Sequence, residues 1–290
     1  MRVYNTNTKR VVVETVEIDE MGEYEEDGDY RIPGVSNSGS EVKCAFVDPA
    51  GSMTGTLFPS GHRQQILSVD ASSSSAELST LPPFDVRVSL IDAANPFVLI
   101  DATSITPILN NVPSPDAKHA LVEAVRQQGA VGMGLATTVE MAALTRGTPK
   151  VALLYPPIVS QQKKGIPDLR VQAYSMGLPH PSLQLTGAVC LATALSSEGT
   201  VAAELSSTPV IGGDNEVPLP SPERTPSPPS NIDHGDNGLL GVKREKTYMI
   251  EHSKGSIEVA VALNDDGSVR SCAVSRTARR LFEGSVRYFL

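Results

Sequence analysis

The chain has 290 residues and a formal charge of −9, which excludes a general nucleic-acid or anionic membrane-surface partner, because both select a basic face. It has no tryptophan and only 4% aromatic residues, so a core of this size must rest on Val, Leu, Ile and Ala, and no apolar run approaches the roughly 20 residues of a membrane span. Cys44, Cys190 and Cys272 are scattered and odd in number, without CxxC or a Cys/His spacing suited to zinc, which predicts reduced thiols, no bound metal and a soluble, cytoplasmic protein.

In chain order, Val3 and Tyr4, then the run from Thr8 to Ile18, read as a strand pair around Asn5 to Lys9. Two strands alone are marginal in water, so something upstream, or another subunit, is expected to complete this sheet. Asp19 to Ser40 is acidic, then rich in Gly, Ser and Pro, and reads as a solvated connection with a unit boundary near its end. A strand over Glu41 to Val47 ends in the turn Asp48-Pro-Ala-Gly-Ser. Val86 to Ile91 and Phe97 to Asp101 are strands flanking Asp92-Ala-Ala-Asn-Pro, which puts Asn95 in a small-residue turn where backbone can approach a ligand.

Ser114-Pro-Asp opens a helix with cap, proline and acid in the expected order, ending near Gly129. A second helix is predicted from about Ala136 to Arg146, then a strand from Lys150 to Tyr155. This alternation implies a mixed α/β domain. Glu216 to Asn237 carries six prolines among Ser, Asp and Gly and reads as a disordered surface insertion. Tyr248 to Leu263 is a strand, a polar turn at His252 to Gly255, and a return strand. Arg276, Arg279 and Arg280 then crowd the last segment, as a solvated face or an anion clamp.

The stretch from Ser175 to Leu195 is strand end, turn, then an apolar helix. Thr186 is the expected N-cap, and Ala188 to Leu195 is apolar around the circumference, so the helix should be buried. His180 sits in the loop before it, where the free N–H groups of a helix start favour an anion. No phosphate-cradling glycine loop, HExxH or GxSxG is present, so nucleotide-dependent and standard hydrolase chemistries lack their motifs. The acid or base candidates are His180, His252, Cys190 and Asp92, with Cys190 read as packing.

Six segments in order, Phe46-Val-Asp-Pro-Ala-Gly-Ser, Phe58-Pro-Ser-Gly, Ser89-Leu-Ile-Asp-Ala-Ala-Asn-Pro, Ser175-Met-Gly with His180, Thr186-Gly-Ala-Val-Cys and Ser275-Arg-Thr-Ala-Arg-Arg-Leu with Glu283-Gly, resemble the PrpF family. That family contains 2-methylaconitate, methylitaconate and aconitate isomerases and 4-oxalomesaconate tautomerase. The resemblance implies a diaminopimelate-epimerase-like α/β (α+β) fold, with curved mixed sheets around central helices. It implies domains over 1–36 (the last strands of an incomplete first domain), 37–273 (a second domain carrying the insertion at about 214–240) and 274–290 (a segment returning to the first).

It also implies cofactor-free allylic proton transfer in a small unsaturated polycarboxylate of the aconitate kind, or, in a shortened chain, carboxylate or partner binding without catalysis. The family's catalytic lysine and cysteine precede the strands that Met1 to Ile18 resemble and have no counterpart here, which leaves His180 as the candidate for proton transfer. Thr186, Gly187 and His180 are expected to bind one carboxylate, with Asn95, Ser60, Met176 and Gly177 around the ligand. His252, Lys254 and Arg276 are expected at a second carboxylate.

Overall fold

The computed structural model describes residues 1–159, 166–211 and 245–285. The expected Pro-rich insertion lies outside the described residues. The first strands are β1 (Arg2–Asn5), β2 (Arg10–Thr15), β3 (Val42–Val47), β4 (Gln65–Val69), β5 (Phe84–Ala93) and β6 (Asn95–Asp101). Helices α1 (Ala102–Asn111), α2 (Pro115–Gly132) and α3 (Val139–Leu144) follow, then β7 (Lys150–Tyr155), β8 (Ile158–Val159), β9 (Leu169–Ser175) and β10 (Leu178–Pro179). The chain continues through α4 (Leu185–Leu195), α5 (Val201–Ser206), β11 (Val210–Ile211), β12 (Glu245–His252), β13 (Gly255–Leu263) and β14 (Val269–Arg276).

Twelve strands form one mixed sheet in the order β1-β2-β3-β14-β13-β12-β9-β7-β6-β5-β4, with β10 pairing β9 off this path. All neighbours are antiparallel except β12 with β9 and β7 with β6. The β12–β9 seam is short: Ile250 faces Leu169 and Glu251 faces Arg170. Asp168 closes it, donating its N–H to the Met249 carbonyl at 2.8 Å while its carboxylate accepts the Met249 N–H at 2.7 Å. Beyond that seam the same edge of β9 is taken by β10, through Tyr174 with Pro179 and Ser175 with Leu178.

The period-2 alternation of strands sends residues to two cores. On one face Phe97, Leu99, Ala152, Leu154, Val171, Ala173, Ile250, Val259, Cys272 and Val274 pack around α4 and α5. On the other, Val98, Ile100, Val151 and Leu153 pack against α1 and α2. Residues 187–195 of α4 are all buried, as its apolar circumference requires. That helix touches β5 and β6 on one side of the seam and β13 and β14 on the other, so it bridges the two halves of the sheet.

Several local expectations need correction. The N-cap of α4 is Gln184, with no side-chain capping bond, and Thr186 lies inside the first turn. The preceding Leu183 is buried with the core, so the helix starts directly after that anchor, ahead of the threonine. Asn95 belongs to β6, and the β5–β6 reversal turns on Ala94 alone, at φ +58°. The second helix spans only Val139–Leu144, capped by the Thr138 side chain. No helix was expected over 102–111, where Thr, Ile and Pro107 disfavour one; Asp101 nonetheless caps α1 by accepting the Thr103 N–H at 2.9 Å. The Ser114 cap and Pro115 of α2 are as the sequence reads.

Candidate active site

Five strands end on a polar residue in phase with their core-facing positions. On β6 the series Leu99, Phe97 runs out to Asn95; on β7, Leu154, Ala152 runs out to Lys150; on β9, Val171, Ala173 runs out to Ser175. On β12, Tyr248 and Ile250 are followed by His252, and on β14, Cys272 and Val274 by Arg276. The strand directions bring these termini to one end of the sheet, on the face that carries α4.

The amino end of α4 lies at that same end. Arg276 donates to the carbonyl of Leu183 at 3.4 Å, and Gln184 donates from its side-chain amide to the carbonyl of Tyr174 at 3.3 Å. Gly187 permits close seating, since a Cβ there would lie 3.1 Å from the Phe97 ring. The first N–H groups of the helix therefore open among the strand ends, a place that favours negative charge.

His180 reaches the group through β10, its backbone N–H held by the Ala173 carbonyl at 2.8 Å. The Ser253 hydroxyl donates to the Pro181 carbonyl at 3.0 Å, which docks the β12–β13 turn against this loop. The two imidazoles are fixed in different ways. Nδ1 of His180 lies 2.8 Å from the Ser182 carbonyl and 3.2 Å from the Ser182 N–H. Two lone pairs at the shorter distance would repel, so the proton belongs on Nδ1 and Nε2 is left as an acceptor. Nδ1 of His252 instead accepts the Lys254 N–H at 3.2 Å, so its Nε2 carries the proton.

His252 is 6% exposed. Its pKa is pushed down to about 4, first by burial, then by Arg276 and His180, with Glu251 opposing. Arg276 is half-buried, and burial lowers its pKa too, against the charges of Tyr30 and Cys44; a guanidinium nevertheless stays protonated. Among the described residues no carboxylate lies within ion-pair distance of Arg276. Tyr30 sits behind it, joined through the Ser275 hydroxyl to Glu41.

Of the other expected ligand residues, Thr186 lies at the amino end of α4 and the rest are held elsewhere. Lys254 packs its side chain where Gly34, at φ +84°, leaves room. Met176 and Gly177 form the left-handed reversal between β9 and β10, with Arg146 donating to the Met176 carbonyl at 3.0 Å. Ser60 accepts the His62 N–H at 3.4 Å, in a loop whose Arg63 binds the Glu198 carbonyl beyond the carboxyl end of α4. Thr186 is half-buried in the first turn of the helix.

Neither Asp92 nor the thiols are placed for proton transfer. The buried Asp92 carboxylate accepts from the Ser52 hydroxyl, from the Thr54 hydroxyl at 2.8 Å, and from the N–H groups of Met53 and Thr54 at 2.8 and 2.6 Å, organising the 51–55 loop. Burial pushes the Cys44 thiol up, Cys190 well above its ordinary value and Cys272 up to about 12. Sequence reasoning missed Lys150 and Ser175 as members of the ring of strand ends. The signal that finds them is a polar residue occupying the next core-phase position of a strand.

A family model described as PrpF protein matches residues 1–213. YraM of Bacillus subtilis (strain 168) is 34% identical over 216 residues, covering 71% of this chain and 55% of YraM. The 2-methyl-aconitate isomerase of Shewanella oneidensis is 27% identical over 303 residues, covering 99% of this chain and 65% of that protein. A crystal structure of methylitaconate-delta-isomerase superposes with a TM-score of 0.66 at 25% identity, covering 99% of this chain and 65% of the other. The chain thus spans 55 to 65% of the length of these relatives.

Proposed function

The chain belongs to the PrpF family, and from that premise we propose that the ring of strand ends binds a small unsaturated di- or tricarboxylic acid of the aconitate kind and supports the shift of its C=C bond. The observation that carries this reading is the convergence of Arg276, His252, His180 and the amino end of α4 on one face of one sheet end. Relatives named for 2-methyl-aconitate and 3-methylitaconate isomerisation support the substrate class.

Arg276 and the first N–H groups of α4 would hold one carboxylate; a half-buried cation with no carboxylate at ion-pair distance among the described residues recovers its lost solvation from such a partner. His180, with Nε2 unprotonated, would take the allylic proton. The electron pair then spreads into the conjugated carboxylate as a dienolate. His252 would donate its Nε2–H as a hydrogen bond to the oxygen where that charge develops, work suited to an imidazole kept neutral by burial. The proton returns at the far carbon, so the reaction balances without oxidant, reductant or cofactor. Within this reading the fold is epimerase-like, with residues 1–36 and 274–290 belonging to a first lobe and 37–273 to a second.

The test is incubation of the full chain with cis-aconitate and with trans-aconitate, following the vinyl protons by NMR. New vinyl resonances, lost in His180→Ala, are the expected result. Neither binding nor turnover of either acid would sink the reading; binding without turnover would reduce it to carboxylate capture.

A further inference from the structure

The imidazole of His180 is anchored within its own loop, since Nδ1 contacts Ser182, two residues on. Where Nε2 stands therefore depends on how that loop is tied to the sheet. The His180 N–H meets the Ala173 carbonyl at 2.8 Å, and the Ser253 hydroxyl holds the Pro181 carbonyl at 3.0 Å. Further along, the Gln184 amide donates to the Tyr174 carbonyl at 3.3 Å. The Gln172 amide donates to the carbonyls of Ala173 at 2.9 Å and of His180 at 3.3 Å. That last carbonyl belongs to the His180–Pro181 peptide, which has no N–H because proline follows, so the oxygen is the one polar group by which the peptide after His180 can be oriented.

Core packing does not account for Gln172. It lies inside β9, out of phase with Val171 and Ala173, so it faces the α2 side, opposite the buried Leu153 of β7. The residue is 2% exposed. Two carbonyls at Nε2 fix which end of the amide is which, and among the described residues Oε1 has no hydrogen-bond partner. A buried acceptor left unpaired costs stability, and methionine would fill the same length of side chain without that cost. What the glutamine adds is the bond to His180. That histidine lies opposite Ala173 in the continuation of the antiparallel β9–β10 pair, and opposed residues share a face, so its imidazole projects to the α4 side while Gln172 reaches its carbonyl from behind.

We propose that Gln172 is a positioning residue for His180: from the reverse face of β9 its amide ties the His180 carbonyl to the sheet and so sets the direction in which Nε2 meets the ligand. This rests on the function proposed above, in which Nε2 takes the allylic proton, and extends it to a side chain that does not touch the ligand.

The experiment uses the full chain carrying 15N-labelled histidine, with the ring resonances of His180 and His252 assigned through His180→Ala and His252→Gln. In the parent, His180 is expected in the Nδ1–H form and His252 in the Nε2–H form. In Gln172→Met the His180 signals should move toward the average of the two tautomers, because the Ser182 contact loosens with the loop, while those of His252 stay. Turnover of cis-aconitate should fall roughly tenfold or more in kcat with KM within about twofold. Gln172→Asn keeps an amide but is one methylene short of His180, and should give the same spectral change. His180 signals unmoved in both variants would overturn the proposal, whatever happens to turnover. A shift of those signals, with no turnover by the parent chain, would sustain the tie to His180 and sink the isomerase alone.

Discussion

Arg276 and His252 sit in solvation-poor positions that the proposed function explains and the packing alone does not require. A guanidinium that gives up water without gaining a carboxylate costs stability, and an apolar side chain of similar length removes that cost. Arg276→Met should therefore leave the chain as stable as before or more so by about 1 kcal/mol, while cis-aconitate affinity falls; paired thermal melts and titration calorimetry check both. His252 has a pKa of about 4 against an ordinary 6.5. Because its folded pKa is depressed, the unfolded chain binds the extra proton between those values, so stability rises as pH climbs from about 4 to 6.5 and is lost on acidification through that window. His252→Gln should flatten this slope, worth at most about 3 kcal/mol, in denaturation midpoints measured across the window.

Elements are tied by contacts whose loss is equally readable. Gly129 of α2 approaches the sheet so closely that an added Cβ would lie 2.3 Å from a Val98 methyl. Gly129→Ala improves helix propensity yet should destabilise by about 1–3 kcal/mol through overpacking, as a lowered melting temperature shows. Arg87 binds Asp101 at 2.7 Å and Glu204 at 2.6 Å, joining β5 to the start of α1 and to α5. Arg87→Met strands the buried Asp101 and should cost about 3 kcal/mol, measured by the same unfolding assay. Much of this level was legible beforehand. Strand alternation, the Ser114 cap and the all-round apolarity of α4 are local signals, and each predicted element formed. The start of α4 was not legible, because burial of Leu183 fixes it and capping chemistry does not. Helix α1 was hidden because its residues are poor helix formers held by the Asp101 cap and by the sheet. At the site, histidines and arginine announce themselves by type, whereas Lys150 and Ser175 look like ordinary strand termini until the sheet order makes them neighbours.

Across the whole molecule, the sheet is two blocks joined at a seam of two residue pairs, with α4 laid over it. Asp168 is the closure of that seam, and Asp168→Ala should raise amide exchange at Leu169 and Ile250 together, while β6 and β7, buried on both faces, keep their protection. The functional groups stand at the last position of their strands, past the final core residue. Asn95, Lys150, Ser175 and Arg276 are only half-buried there, whereas His252 is buried, so all but His252 can be exchanged for another polar side chain with little repacking. On the proposed function, chemistry and architecture are thereby written in separate registers of the same strands: the interior positions build the core, and the terminal ones set what is bound. Under the proposed function, a scaffold arranged in this way can pass from one acid to a related one by single changes at its half-buried rim positions, each within reach without a stabilising change made first.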